Sequence, residues 1–508
     1  MAELIVPSST RVPGIHRPRL ARGTALNLLG MGAPLVAGFV AIPLLVHALG
    51  VERFGVLTLA WIITGYFSLF DLGLGRALTQ LIAARVSLSG EVKAPAVVWP
   101  ALGLMLCMGL AGAVALAAVA PWLVASVLEI PPALQDETRR SLYVLAAGIP
   151  LVVMAAAYLG ILTAFHEFGV LNAIRAPMGI LTFVAPVLVL PLSRSLVAVT
   201  MSLVLVRLGA CVAMAMACRR FMPPLRGARA EAAREDGGIR ALLSFGAWMT
   251  VTNFVAPMMV YLDRFIVGSM LSVTAVAYYA TPYEVITKAL IVPGAVVGVL
   301  FPAFAASSAH DRARLQRLFT RGTKYIALLL FPAMLLVVAF AYEGLRAWLG
   351  QEFATNSAPV LQWLAIGVFL NSVAQLFLVL VLGVGRPDLS AKLQLLELPL
   401  YLVLLWWGIR EYGILGAAIA WTVRVALDTV LLFAVSRHLL ALHGAAAAHI
   451  AIGLTVLTVA LALPLLAEAA LARGAIVLML GVLFTFVTWC WVLAPDERAR
   501  IKAAYPHG

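Results

Sequence analysis

The chain has 508 residues, of which 63% are hydrophobic and 12% charged, proportions that exclude an ordinary soluble globular protein of this size. A formal net charge of +13 would suggest a nucleic-acid partner in a soluble chain, but a polytopic membrane protein gathers such an excess in its cytoplasmic loops, so no nucleic acid is expected. The expectation is an all-α integral membrane protein of about fourteen transmembrane helices, counted as apolar runs near ~20 residues.

In chain order, residues 1–24 carry Arg11, Arg17, Arg19 and Arg22 and read as a cytoplasmic tail. The apolar run that follows is too long for the core of a cleaved signal sequence. The first six spans cover 25–46, 54–84, 97–119, 142–164, 170–191 and 196–218. The next six cover 242–267, 273–304, 325–342, 360–384, 393–409 and 414–435, and two more at 450–466 and 475–493 close the chain. Residues 25–218 and 241–436 are therefore expected to form two six-helix lobes, joined by a basic linker at 219–240, with two extra helices at 437–494 and a tail at 495–508.

Lys and Arg outside the spans fall mainly on alternate loops, which places both termini in the cytoplasm of a multi-pass cytoplasmic-membrane protein. The loops 219–240 and 312–324 contribute most. In the second, Arg312, Arg314, Arg317 and Arg321 interleave with Leu315, Leu318 and Phe319, which suggests a short amphipathic helix on the inner leaflet.

The chain repeats its layout. Residues 142–218 and 360–435 both show a long span, a short polar loop, a span with an early proline (Pro177 or Pro399) and a span with a central arginine (Arg207 or Arg424). Six spans per half is an even number, so the halves run parallel about an axis along the membrane normal, and sites in such proteins lie between the halves near mid-depth.

Charges inside the spans are expensive there and point to protein or water. The basic ones are Arg76, Arg175, Arg207, Arg264, Lys288 and Arg424; the acidic ones include Asp71, Asp263, Glu284, Glu397 and Asp428. Glu284 with Lys288, and Arg424 with Asp428, stand at i and i+4 and can neutralise each other on one helix face. Arg207 has no acid on its own helix and is expected to line a hydrated cavity. Arg175 and Glu397 lie near the cytoplasmic ends of their spans, where long side chains can snorkel. Asp263 and Arg264 lie toward the outer end of theirs, where packing and function are equally open. A basic cavity of this kind suits an anionic headgroup, with Arg76, Arg175, Arg207, Lys288 and Arg424 as the cations, because guanidinium binds phosphate oxygens through paired charge-assisted hydrogen bonds. Asp71, Asp263, Glu284, Glu397 and Asp428 are candidates for charge pairing or for taking up a coupling proton or sodium ion.

Tyr66, Trp248, Tyr261, Tyr279 and Tyr283 flank the presumed cavity, where stacking on sugars competes with ordinary packing. Cys107, Cys211, Cys218 and Cys490 lie in apolar segments without metal-type spacing, so no metal is expected and no cofactor beyond a coupling ion. No GxxxxGK[ST] stretch occurs, which argues against a single-chain ATP-driven pump, and the Gly73-Leu74-Gly75 run has no preceding strand to make it a dinucleotide fingerprint.

Residues 54–59, 70–77, 261–268, 277–279 and 383–387, together with Tyr412-Gly413-Ile414-Leu415-Gly416, resemble the signatures of Wzx-type bacterial oligosaccharide flippases of the multidrug/oligosaccharidyl-lipid/polysaccharide exporter superfamily. The resemblance implies two six-helix lobes around a central cavity, and a polyprenyl diphosphate-linked oligosaccharide turned to the outer leaflet by ion-coupled alternating access. It also implies membrane lipids and other polysaccharide-assembly proteins as partners. Asp71, Arg76, Asp263 and Arg264 are its motif positions. Alternatives are a drug/cation antiporter of the same superfamily, a lipid II flippase, and, from another class, a membrane glycan polymerase or ligase. Short outer loops and a cation-rich N-terminal half speak against the last and the first. Asp71 and Arg76 point about 140° apart on an ideal helix, so Asp71 and the nearby glycines are expected to organise packing, and Arg76 to meet a headgroup.

Overall fold

The computed structural model describes residues 17–66, 98–165, 167–221, 261–307, 311–442 and 444–493, with positions 75, 78, 79, 82, 259, 495, 497 and 498 besides. Every regular element among them is helical. The first helices are α1 (Arg17–Leu49), α2 (Val51–Tyr66), α3 (Val98–Trp122), α4 (Pro132–Ala164), α5 (Phe168–Val189) and α6 (Leu196–Cys218). After a helical stretch over residues 261–270 come α7 (Val273–Thr287), α8 (Ile291–Ser307), α9 (Arg312–Leu349), α10 (Gln351–Gly383), α11 (Pro387–Leu440), α12 (Ala445–Ala462) and α13 (Ala470–Val487).

Eleven helices among the described residues are long and apolar enough to cross a membrane. One of these, α11, is two spans in one: Gly413 takes φ 57 and ψ −137, and the backbone at Gly416 lies against Gly408, where a Cβ on either would meet the other's carbonyl. Only glycine adopts that conformation freely, so the helix reverses where the sequence places the gap between its eleventh and twelfth spans. The second and seventh spans of the sequence reading fall partly outside the described residues.

By contact the helices form two groups. In the first, α4 packs between α3 and α6, while α5 bridges α6 and α1; in the second, α10 packs between α9 and α11, with α7 and α8 against it. Helix α10 is the central element, 78% buried over its most apolar window, whereas α12 and α13 are peripheral at 11%. Burial of apolar side chains is not a net drive between helices in lipid, so the contacts rely on close packing and on polar ties. Arg473 of α13 is such a tie: its guanidinium reaches Glu343 at 2.7 Å and, at 2.8 Å, the Ala339 carbonyl beside the kink at Phe340 of α9.

The groups meet most closely along α2 and α7. A Cβ at Gly55 would collide with the Val273 carbonyl, so only glycine lets α2 sit on the start of α7. Beside that seam the extended residues 128–130 exchange backbone hydrogen bonds with the turn after 268: Glu129 N–H to Gly268 at 3.1 Å and Val273 N–H to Glu129 at 3.4 Å. Arg53 pairs with Glu137 at 3.1 Å, and Glu137 also accepts the Leu196 N–H at 2.7 Å, satisfying a donor at the start of α6.

One expectation changes. The arginines at 312, 314, 317 and 321 do not lie on a separate interfacial helix. They are the exposed side of the first turns of α9, whose Leu315 and Phe319 are buried, Phe319 against Phe377. A helix that runs straight into a membrane span has no freedom to lie flat on the leaflet. Of the glycine-rich stretch 71–79, Asp71, Gly73 and Arg76 lie outside the described residues, but Gly75 is packed against Gly160 of α4, and Thr79 donates to the Gly160 carbonyl at 3.2 Å.

A charged cavity between the two helix groups

A cavity of about 740 Å³ lies between the groups, walled by α1, α2, α5 and α6 on one side and by Tyr261, α7 and Ile291 on the other. Phe54, Thr58, Trp61 and Ile62 on α2 line it together with Ala280, Thr281 and Glu284 on α7 and Lys288 just after that helix. The lining is mainly apolar, with Phe183, Trp61 and Phe54 forming a run of edge-to-face ring contacts at 5.3 and 6.0 Å.

Arg207 projects into this cavity from α6. Its one hydrogen-bond contact among the described residues is a long one, Nη1 to the Met178 sulfur at 4.0 Å, and no carboxylate pairs with it there. A guanidinium within an apolar wall and without an acid keeps its donors available for an incoming anion.

Lys288 faces the same cavity from the short 3₁₀ turn after α7, and its environment is the opposite. Its Nζ is 3.3 Å from one oxygen of Glu284, and Arg264 Nη2 is 3.3 Å from the other. Arg264 is fully buried with its guanidinium carbon 4.1 Å from the Tyr283 ring centre and 5.3 Å from that of Tyr261. Asp263, also fully buried, accepts the Arg264 backbone N–H at 2.8 Å and the Tyr279 hydroxyl at 2.7 Å, and lies 3.7 Å from Arg264 Nη1. Charge thus runs from the cavity wall into the helix group: Lys288, Glu284, Arg264, Asp263.

The remaining sequence candidates divide. Glu284 and Lys288 do pair at i and i+4, with Arg264 as a third member. Arg424 has a second acid that the sequence did not show: its Nη1 faces Glu397 at 3.9 Å, across the reversal of α11, in addition to its helix neighbour Asp428 at i+4. Glu397 does not snorkel; it is 1% exposed. Arg175 is on the exposed side of α5 and does not line the cavity. Asp71, Arg76, Trp248 and the Tyr66 side chain fall outside the described residues. Tyr279 and Tyr283 pack inside the second group, leaving Tyr261 as the one of those five aromatics described on the wall.

Sequence reading missed the polar atoms of the wall itself. The Trp61 indole nitrogen and the Thr281 hydroxyl are buried beside the cavity without a hydrogen-bond partner among the described residues, a rare state for buried polar atoms. A lone Thr or Trp in an apolar run carries no signal of this.

Comparison with known proteins agrees with the geometry. A family model described as polysaccharide biosynthesis protein matches residues 44–358. A Shigella flexneri protein named as an O-antigen transporter is 28% identical over 420 residues, 81% of this chain and 96% of its own. Among solved structures, an inward-facing multidrug resistance MATE family transporter of the MOP superfamily superposes with TM-score 0.68 at 15% identity, covering 83% of this chain and 98% of that one. The lipid II flippase MurJ in an inward closed conformation superposes with TM-score 0.60 at 10% identity, covering 92% and 98%. At these identities the solved structures establish the fold.

Proposed function

The chain belongs to the polysaccharide biosynthesis protein family, and from that premise and the charged cavity we propose that it is a flippase. It carries a polyprenyl diphosphate-linked oligosaccharide from the inner to the outer leaflet of the cytoplasmic membrane by ion-coupled alternating access. The relative named for O-antigen transport supports this substrate class. The observation that carries the reading is Arg207, a cavity guanidinium with no acidic partner among the described residues, set across an apolar cavity from Lys288. At about 740 Å³ the cavity suits a drug-sized group, hence the diphosphate and the sugar next to it, with the lipid tail and the distal glycan outside.

In this reading the two helix groups are the moving lobes, residues 25–218 and 241–436, and both termini are cytoplasmic. The seam at Gly55 and Val273 is then the closed outer gate, and the cavity below it receives the headgroup from the cytoplasmic side. Arg207 and Lys288 take the diphosphate from opposite lobes, so the substrate itself links the halves that must rock. Anion binding also draws Lys288 away from Glu284, which frees that carboxylate's second oxygen.

The test is leaflet transfer in vesicles containing the purified protein and a fluorescent polyprenyl diphosphate glycan. Transfer is expected in the wild type and is expected to slow in Arg207→Ala. Export of cationic dyes without transfer of any such lipid would replace this reading with that of a drug antiporter.

A further inference from the structure

Among the described residues three threonines line the cavity, and they differ in what their hydroxyls do. Thr58 donates to the Phe54 carbonyl at 2.9 Å and Thr182 to that of Met178 at 2.8 Å, the bond to the preceding turn that helical threonines commonly make. Thr281 makes no such bond. It is 3% exposed, and its hydroxyl has no hydrogen-bond partner among the described residues. The Trp61 indole nitrogen is in the same state. Buried polar atoms are rarely left this way, and both residues stand on the wall of one cavity.

Helices α2 and α7 both start beside the seam, where Gly55 meets Val273, and run from it along the cavity. At ~1.5 Å per residue Trp61 lies about 9 Å from the seam, Thr281 about 12 Å and Lys288 about 22 Å. Thr281, Glu284 and Lys288 stand at i, i+3 and i+7, the spacing of one helix face. The lysine that meets the diphosphate and the unspent hydroxyl are therefore about 10 Å apart along the wall, room for a phosphate and one pyranose ring. Beside the two polar atoms the wall offers flat apolar surface, the half-buried rings of Trp61 and Phe183 at 5.3 Å. A sugar has apolar C–H faces and a rim of hydroxyls. The rings suit the first, and a threonine hydroxyl that donates and accepts, with an indole N–H that donates only, suits the second.

We propose that the sugar joined to the diphosphate is held between Trp61 and Thr281, on the seam side of Lys288, and that these two residues select it by its hydroxyls. The sugar then leads toward the seam, and the polyprenyl chain trails away from it. A headgroup without the matching hydroxyls leaves the indole and the threonine unpaired, and gains nothing from this part of the wall. This subsite rests on the flippase reading above for what enters the cavity, while binding itself is measured without transport.

The experiment uses the full-length protein in lipid nanodiscs, titrated with a fluorescent isoprenyl diphosphate and with the same lipid carrying one sugar, in turn glucose, galactose and N-acetylglucosamine. Wild type is expected to bind at least one sugar-bearing probe about tenfold more tightly than the bare diphosphate, the worth of one or two neutral hydrogen bonds. Thr281→Val keeps the shape of the side chain and removes its hydroxyl; Trp61→Phe keeps a ring and removes the indole N–H. In each, that preference is expected to fall toward one. The unfolding temperature of Thr281→Val should equal or exceed that of wild type, because an unpaired buried polar atom is lost. Arg207→Ala is expected to weaken both probes by the same factor and so to keep the preference. No preference in wild type, or a preference that survives both folded variants, overturns the subsite. Binding of the bare diphosphate that weakens in Arg207→Ala, with no response to any sugar, sinks the subsite and leaves the flippase. Binding of neither probe, alongside export of cationic dyes, sinks the flippase and the subsite with it.

Discussion

The two walls of the cavity keep a cation in the membrane by opposite means. On the first helix group Arg207 stands without a described acidic partner, its donors open to the cavity. On the second, Lys288 is the exposed end of a chain of pairs through Glu284, Arg264 and Asp263, of which the last two are fully buried. The first wall is built to receive charge from a ligand; the second already holds its own. The same cavity thus has a side where a substitution removes function and a side where it removes structure first.

The largest effect that would break this contrast is at Arg264. Arg264→Met strips the buried Asp263 of its partner, and leaving such a charge unpaired costs about 3–5 kcal/mol; a much lower unfolding temperature in detergent is expected, largely restored by adding Asp263→Asn. If Arg264→Met is as stable as wild type, the second wall is not a structural network.

Arg207→Ala comes next, and its effect is on transport. Losing one charge-assisted contact to an anion is worth about 1.5–3 kcal/mol, so transfer should slow by roughly 10–100-fold. Thermal stability should be unchanged or raised, because an unpaired charge leaves the membrane. A large drop in stability there would place Arg207 with the second wall.

Gly55→Ala bears on the seam that holds the walls together. Its new Cβ meets the Val273 carbonyl, and overpacking of this kind costs about 1–3 kcal/mol. The expected outcome is a distance between spin labels at Glu52 and Thr274, on either side of the seam, that lengthens while the fold survives, and no change in that distance would separate the seam from the gate. Lys288→Gln should be mildest for stability: the pair is half-exposed, where ion pairs contribute ~0–1 kcal/mol. Its transport defect should be smaller than that of Arg207→Ala, because Glu284 keeps Arg264.

Much of this was legible beforehand, and the failures are instructive. The gap between spans eleven and twelve was readable because Tyr412-Gly413 interrupts an apolar run, and Gly413 is where α11 reverses. The contact of Arg424 with Glu397 was not readable. Helical periodicity sees only Asp428 at i+4, whereas the reversal brings Glu397 from the other arm. The same limit hid the burial of Asp263 and Arg264, which read as span-end residues, and the amphipathic pattern at 312–321, which belongs to a continuous helix whose apolar side packs on α10.

From its residues alone the chain declares a multi-span helical membrane protein, the order of its spans, and which ionisable groups lie within them. These follow from hydropathy, a local property that lipid enforces span by span. Tertiary structure alone decided that Arg207 would have no acid beside it among the described residues, that Lys288 would be tied inward, and that Arg424 would meet Glu397 from the other arm of α11. Charge pairing depends on distances of a few ångströms between side chains far apart in the chain, and those distances exist only after the helices have packed.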